Sequence, residues 1–198
     1  MAGNYDQLYE QSRSRFLSFG QEKMIEYFGL AHDRGSLYFH ILGREARLDR
    51  NTGVITCGGE QAGFDEACAA YDILSRAQSE PKLSGRWVGI VDLGGNTASY
   101  HADKLGPELS ALEGRTAELR ELCRRWGGQE QRQGDVSFIV PLFDFFPVWL
   151  QFWEGDEEFP SKFSCLWDAN TLDFMYYETT WYARGYLLQQ LRGEGSRR

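Results

Sequence analysis

The stretch Phe145-Phe146-Pro147-Val148-Trp149-Leu150-Gln151-Phe152-Trp153-Glu154-Gly155-Asp156-Glu157-Glu158-Phe159-Pro160 decides how the rest of the chain is read. A run of bulky apolar residues meets four carboxylates within five positions. A solvated loop has no use for aromatics, and a core strand tolerates no carboxylate cluster without a partner. Side chains alternate faces along a strand, so Val148, Leu150 and Phe152 share one face and Trp149, Gln151 and Trp153 the other. The first face is unbroken and apolar, which predicts core. The second is an amphipathic wall with two readings, covered by the terminal helix or lining a pocket.

Period-2 patterning continues on both sides, over 134–140 and 163–167, so these segments are predicted to be strands beside 147–153. Earlier, 36–42 and 45–49 read as a hairpin. Asn51-Thr52-Gly53 supplies turn chemistry before a return strand over 54–56. Residues 85–93 are a further strand candidate.

Helical spacing appears elsewhere. Residues 5–28 read as helix with a break near Gly20 and a stop at Gly29. Residues 62–77 carry Phe64, Ala67, Cys68, Tyr71 and Leu74 on one face. Residues 108–126 carry Leu109, Leu112, Leu119, Leu122 and Trp126, with Gly127-Gly128 as the stop. Residues 171–192 form a long aromatic C-terminal helix, apolar on more than one side, which is either sandwiched in a core or set against a partner. The pattern predicts an α+β fold: a mainly antiparallel sheet with packed helices. Residues 1–34 read as an N-terminal helical segment, 35–192 as one α+β domain and 193–198 as a polar tail.

Composition narrows the function classes. The net charge is −8 and no basic stripe is present, which argues against nucleic acid. The first residues have neither a basic nor an apolar leader region, and no stretch is long and apolar enough to span a bilayer. The expectation is a cytoplasmic protein without membrane contact. Cys57, Cys68, Cys123 and Cys165 match no zinc or iron–sulfur spacing and are expected to be free thiols. His32, His40 and His101 lie far apart, so no metal-ligand set is expected. No nucleotide-loop or hydrolase signature occurs, and no residue pattern names a cofactor.

The acidic turn carries the sharpest expectation. Clustered carboxylates raise one another's pKa unless a cation intervenes. At least two of Asp156, Glu157, Glu158 and Glu178 are therefore expected to meet a cationic side chain or an ion. The other reading is a solvated turn in which one carboxylate caps neighbouring backbone. Arg86 and Arg184 are the candidate partners of Glu178. The predicted ligand-binding set is Arg86, Trp87, Trp149, Trp153, Asp156, Glu157, Glu158 and Glu178.

Several runs resemble the prokaryotic domain-of-unknown-function family 3786. They are Pro81-x-Leu83-Ser84-Gly85-Arg86-Trp87, then Leu93-Gly94-Gly95 and Tyr100, then Gly134-Asp135-Val136. The most distinctive is the block from Phe146 to Pro160 with its Gly-Asp-Glu-Glu-Phe-Pro core. Asp168 and Glu178 fall at late acidic positions, and the Leu-Gly-Arg turn and Asp-x-x-Thr-Gly hairpin within 38–53 are similar to the family's front part. The family carries no assigned activity. Some members bear an added iron–sulfur domain like that of corrinoid iron–sulfur proteins, and the resemblance implies a link to corrinoid or one-carbon metabolism in anaerobes. This chain has no four-cysteine motif to match.

Three functions follow as expectations. The first is a ligand-binding or accessory module for a small molecule. The second is an enzyme using Asp156, Glu157, Glu158 and Glu178 as acid/base groups or metal ligands. The third is an interaction domain whose C-terminal helix packs on a protein partner or a second copy in a homodimer.

Overall fold

The computed structural model describes residues 4–77, 79–94 and 110–193. Two helices open the chain, α1 (Asn4–Ser18) and α2 (Gln21–Phe28), separated at Gly20 as the sequence predicts. Strands β1 (Ala31–His32), β2 (Ser36–Ile41), β3 (Arg44–Asp49), β4 (Ile55–Cys57) and β5 (Glu60–Gln61) follow. Then come helix α3 (Phe64–Arg76), strand β6 (Trp87–Val88), helix α4 (Ile90–Gly94) and helix α5 (Thr116–Arg125). The chain continues through β7 (Gln129–Glu130), β8 (Val136–Phe143), β9 (Phe146–Trp153) and β10 (Lys162–Asp168). It ends in α6 (Thr171–Phe174) and α7 (Tyr177–Arg192).

The fold is α+β with an antiparallel sheet. The strand order is β5-β4-β3-β2-β8-β9-β10-β6, with β1 beside β2 and β7 beside β8. Two halves meet at the β2–β8 seam, where only Ile41 and Phe143 pair. The seam is reinforced by Leu42 N–H to Leu142 C=O (3.1 Å) and by His40 N–H to Asp144 Oδ2 (2.7 Å). The register of the deciding stretch is as its alternation requires. Phe152 lies between Val136 and Phe163, and Leu150 between Phe138 and Cys165. Val148, Leu150 and Phe152 are buried.

The helices stack on that apolar face. Leu119 and Cys123 of α5 and Leu191 of α7 meet Val136, Leu150 and Phe152. Helix α3 is wedged between α1 and α7 and buries ten of its thirteen residues. Phe16 and Met24 of the first two helices are fully buried in the same core, so the N-terminal segment is part of the packing.

Helix α7 is the internal element that its all-round apolarity allows. Leu187, Leu188, Leu191 and Ala183 are buried, and so are Thr179, Thr180 and Arg184. It packs chiefly on α3, and its Leu191 reaches Leu150 and Phe152 on the sheet's apolar face.

Three boundaries differ from the sequence reading. The strand expected over 85–93 shrinks to Trp87–Val88, because a turn from Gly89 C=O to Asp92 N–H (3.0 Å) starts α4. The helix expected over 108–126 runs only from Thr116, since Gly114 takes a left-handed φ of 71° just before it; Leu109 lies outside the described residues. The helix expected over 171–192 is broken by extended backbone at Met175 and Tyr176. Tertiary contacts override helix propensity there. Met175 is driven fully into the core, and Tyr176 lies beneath the guanidinium groups of Arg15 and Arg76.

Candidate functional site

The predicted ligand-binding residues are dispersed over the fold. Trp87 and Trp149 do meet, edge to face with ring centroids 5.9 Å apart, on the sheet face opposite the helices. Trp149 Nε1–H donates to Ser137 Oγ (3.0 Å). Trp153 stands two residues further along β9, with Lys162 Nζ 5.1 Å from its ring. A Cβ on Gly134 would fall 2.7 Å from the Phe152 carbonyl oxygen and 3.2 Å from the Trp153 indole. With φ of 75° as well, that position requires glycine. Arg86 is exposed, and its backbone carbonyl accepts from Ala169 N–H (2.8 Å). The three tryptophans form a partly covered aromatic strip, and the cavities described below are lined by other residues.

The acidic turn takes the solvated form. Asp156, Glu157 and Glu158 are exposed. Asp156 Oδ1 accepts from Phe159 N–H (2.7 Å) and Glu158 N–H (2.9 Å), and these two bonds hold its carboxyl below the usual range. Glu178 is exposed in the first turn of α7, where a negative charge suits the helix dipole. It lies on the helical side of the molecule, where burial raises the pKa of Asp72 and the Glu178 charge adds to that. Among the described residues none of these four carboxylates forms an ion pair, so the expected cation partner is not found. Arg184 instead lies over Trp181, 5.5 Å from its ring. His101 and Tyr100 lie outside the described residues. Cys57, Cys68, Cys123 and Cys165 are buried, and none forms a disulfide with another. No cluster of metal-ligating side chains occurs among the described residues.

Asp168 has a structural task that the sequence did not disclose. Its buried carboxylate accepts from Ser84 N–H (2.9 Å), Ser84 O–H (3.0 Å), Gly85 N–H (2.8 Å) and Asn170 N–H (2.8 Å). Burial without such donors would be costly. The bonds pin the segment leading into β6 against the end of β10.

A different place gathers convergent polar groups. Between the start of α3 and the last turns of α7 lies a cavity of about 670 Å³, within the range of small-molecule sites. Arg44, Asp65, Glu66, Tyr186 and Gln189 line it. Arg44 reaches it because β2 and β3 are joined by a two-residue turn with positive φ at Leu42 (48°) and Gly43 (70°). That left-handed pair is the geometry that tight hairpins need. At Gly43 a Cβ would press on the backbone of Arg125 and Trp126 at 3.2 Å.

Glu66, on the third residue of α3, is the hub. One oxygen reaches back to Gly63 N–H (3.4 Å), half of a capping box. The other meets Arg44 Nη1 at 3.5 Å. Arg44 Nη1 also donates to Tyr186 Oη (3.2 Å), and Nη2 to the Cys57 carbonyl (3.0 Å). Burial, then the charge of Glu66 and a hydrogen bond to it, push the Tyr186 hydroxyl well up. The same causes raise the Cys57 thiol. Burial works against the Arg44 charge, but Tyr186 and Glu66 outweigh it and the guanidinium stays firmly protonated.

Asp65 is the less satisfied acid. Its hydrogen-bond partner among the described residues is Gln189 Nε2–H, a long bond of 3.3 Å to Oδ2, and burial raises its pKa above 3.8. A carboxyl raised on folding contributes stability that is complete below the unfolded pKa and is lost as pH rises through the folded value. A carbon-detected titration of the Asp65 carboxyl should therefore give a midpoint above 3.8. Asp65→Asn should remove that part of the stability loss on leaving acid pH. A midpoint at or below 3.8 would contradict the burial of this group.

The family model described as "Domain of unknown function (DUF3786)" matches residues 21–190. That match covers most of the chain, and the protein belongs to this family. No curated protein and no solved structure matches it.

The sequence reading passed over this cavity. Its signals were present: two acids, Asp65 and Glu66, open a helix whose remaining residues are mostly apolar, and the Leu42-Gly43-Arg44 turn points a cation inward. What the sequence could not supply is the pairing of the α3 start with Tyr186 and Gln189, about 120 residues away.

Proposed function

We propose that the chain is a binding module for a small polar ligand carrying a protonated amine, seated between the start of α3 and the end of α7. The observation that carries this reading is the cavity of about 670 Å³ beside Asp65, whose carboxylate has one long hydrogen bond among the described residues. A donor from a ligand would complete it. Glu66, Arg44 and Tyr186 form the rigid base of the site, already bonded to one another.

Binding is favoured over nucleophilic chemistry at this place. Cys57 and Tyr186 are both held protonated by burial and by Glu66, and a thiolate or phenolate is what attack would need. A link to corrinoid or one-carbon metabolism stays attached to the proposal through the family resemblance alone. A second reading rests on the half-buried Trp87–Trp149 pair, which offers an aromatic surface for a partner.

Substituting Asp65 by Asn keeps the shape of the side chain and removes its charge. For an amine ligand found by thermal-shift screening, Asp65→Asn should weaken binding roughly tenfold or more, the scale of one charge-assisted hydrogen bond. Unchanged affinity would remove Asp65 from the site and the proposal with it.

A further inference from the structure

About 15 Å along α3 from Glu66, at the rise of an α-helix, the last residue of the helix poses a separate problem. Arg76 is half-buried, and its Nε atom is buried without a hydrogen-bond partner among the described residues. An unmet buried donor costs about 1–3 kcal/mol, more when it belongs to a charged group. The guanidinium forms no ion pair among the described residues. It lies over the ring of Tyr176, 4.7 Å from the centroid. Arg15 lies over the same ring at 5.1 Å, but Arg15 has a carboxylate, Asp72 Oδ1 at 2.6 Å. Two guanidinium groups are thus brought to one aromatic ring, and one of them has no anion among the described residues.

A cation in the last turn of a helix suits the dipole, which explains a positive charge at this position. It does not explain the unmet N–H. Arg76 also lines a cavity of about 390 Å³ with Ser79, Lys82, Asn170 and Asp173. Asn170 Nδ2–H donates to the Lys82 carbonyl (2.9 Å), so the segment bearing Lys82 is braced against the start of α6. The cavity therefore has a guanidinium, an ammonium and a hydroxyl on one braced rim. Glu80 and Asp173, which also line it, offset the two cations, so an anion here is held by direct N–H bonds and not by net charge.

We propose that this cleft is a second binding site, for a small oxyanion of the carboxylate or phosphate type held by Arg76. A guanidinium offers two parallel N–H bonds to such a group, and stacking on an aromatic face leaves its in-plane donors free. The site uses none of the residues of the α3–α7 cavity, so the two proposals stand or fall separately.

The test is a titration of the intact protein with sodium phosphate and, in a parallel series, sodium acetate. Each is read against sodium chloride at equal ionic strength. The probe is the Arg76 Nε–Hε resonance. The expected result is a saturable shift of that signal with at least one of the two oxyanions, and with chloride none. Phosphate alone would assign a phosphate ligand; acetate alone would assign a carboxylate. Arg76→Lys keeps a charge and loses the fork, and should weaken binding roughly 10- to 100-fold. The wild-type titration needs no variant to fold: no saturable shift with either oxyanion overturns the proposal. So does an affinity that Arg76→Lys leaves unchanged.

Discussion

Replacing Phe152 by alanine is expected to cost about 3–5 kcal/mol of stability, the usual loss for a large core aromatic. Phe152 is buried between Val136 and Phe163, on the face that receives α5 and α7. No neighbour in a ladder of paired strands can collapse far enough to refill the space. Trp153, one residue on, points to the other face and is half-buried against Lys162 and Gly134. Trp153→Ala should cost about 1–2 kcal/mol, in keeping with partial burial. Urea unfolding of both variants measures the difference. Equal losses would mean that the Trp face is as enclosed as the core face, and the two-faced account of β9 would be wrong.

The second large effect is expected at Glu66. Glu66→Ala removes the acceptor of Arg44 and of the Gly63 N–H, and the charge that acts on Tyr186 and Cys57. Truncating one member of a buried pair leaves the other uncompensated, a loss of about 3–5 kcal/mol when both are fully buried. The Arg44 side chain is about one-third exposed, so water recovers part of that loss. The expectation for Glu66→Ala is about 2–3 kcal/mol. Arg44→Met in the same background should then cost less than it does alone, because its partner has already gone. Strict additivity in that double-mutant cycle, or a loss below about 0.5 kcal/mol for Glu66→Ala, would show that the network is not a unit.

Much of the fold was legible because the periods are clean where burial is one-sided. Val148, Leu150 and Phe152 alternate with Trp149, Gln151 and Trp153, and the sheet places them on opposite faces. Asn51-Thr52-Gly53 turns where its chemistry says it should, with Gly53 at φ of 72°. Helical spacing found α3. It overran at 108–126 and 171–192, where the local pattern stays helical but the backbone does not. At Met175 and Tyr176 neither proline nor glycine marks the break; a buried sulfur side chain and a ring under two guanidinium groups impose it.

The site was less legible, and for a physical reason. A run of Asp156, Glu157 and Glu158 is conspicuous in sequence, yet conspicuous charge is what a solvated turn can hold cheaply. The costly carboxylates are single and quiet: Glu66 and Asp72 within an apolar helix, and Asp168 at the end of a strand. Their partners come from distant segments, Arg44 and Tyr186 for Glu66, Arg15 and Thr179 for Asp72, Ser84 and Gly85 for Asp168. No local pattern contains both halves of such a pair. The resemblance located the family correctly, and its most distinctive block marks a sheet hairpin and its turn.

The central claim is that the cavity between α3 and α7 binds a small amine-bearing ligand. Its most direct test is a backbone amide spectrum of the intact protein, recorded against a library of small amines and amino acids. The account predicts that binding compounds shift a contiguous set of signals from Gly63, Asp65, Glu66, Tyr186 and Gln189, and that in Asp65→Asn those shifts need roughly tenfold more compound or still more. Shifts that cluster instead around Trp87 and Trp149, or an α3–α7 cavity silent to every amine in the library, would contradict it.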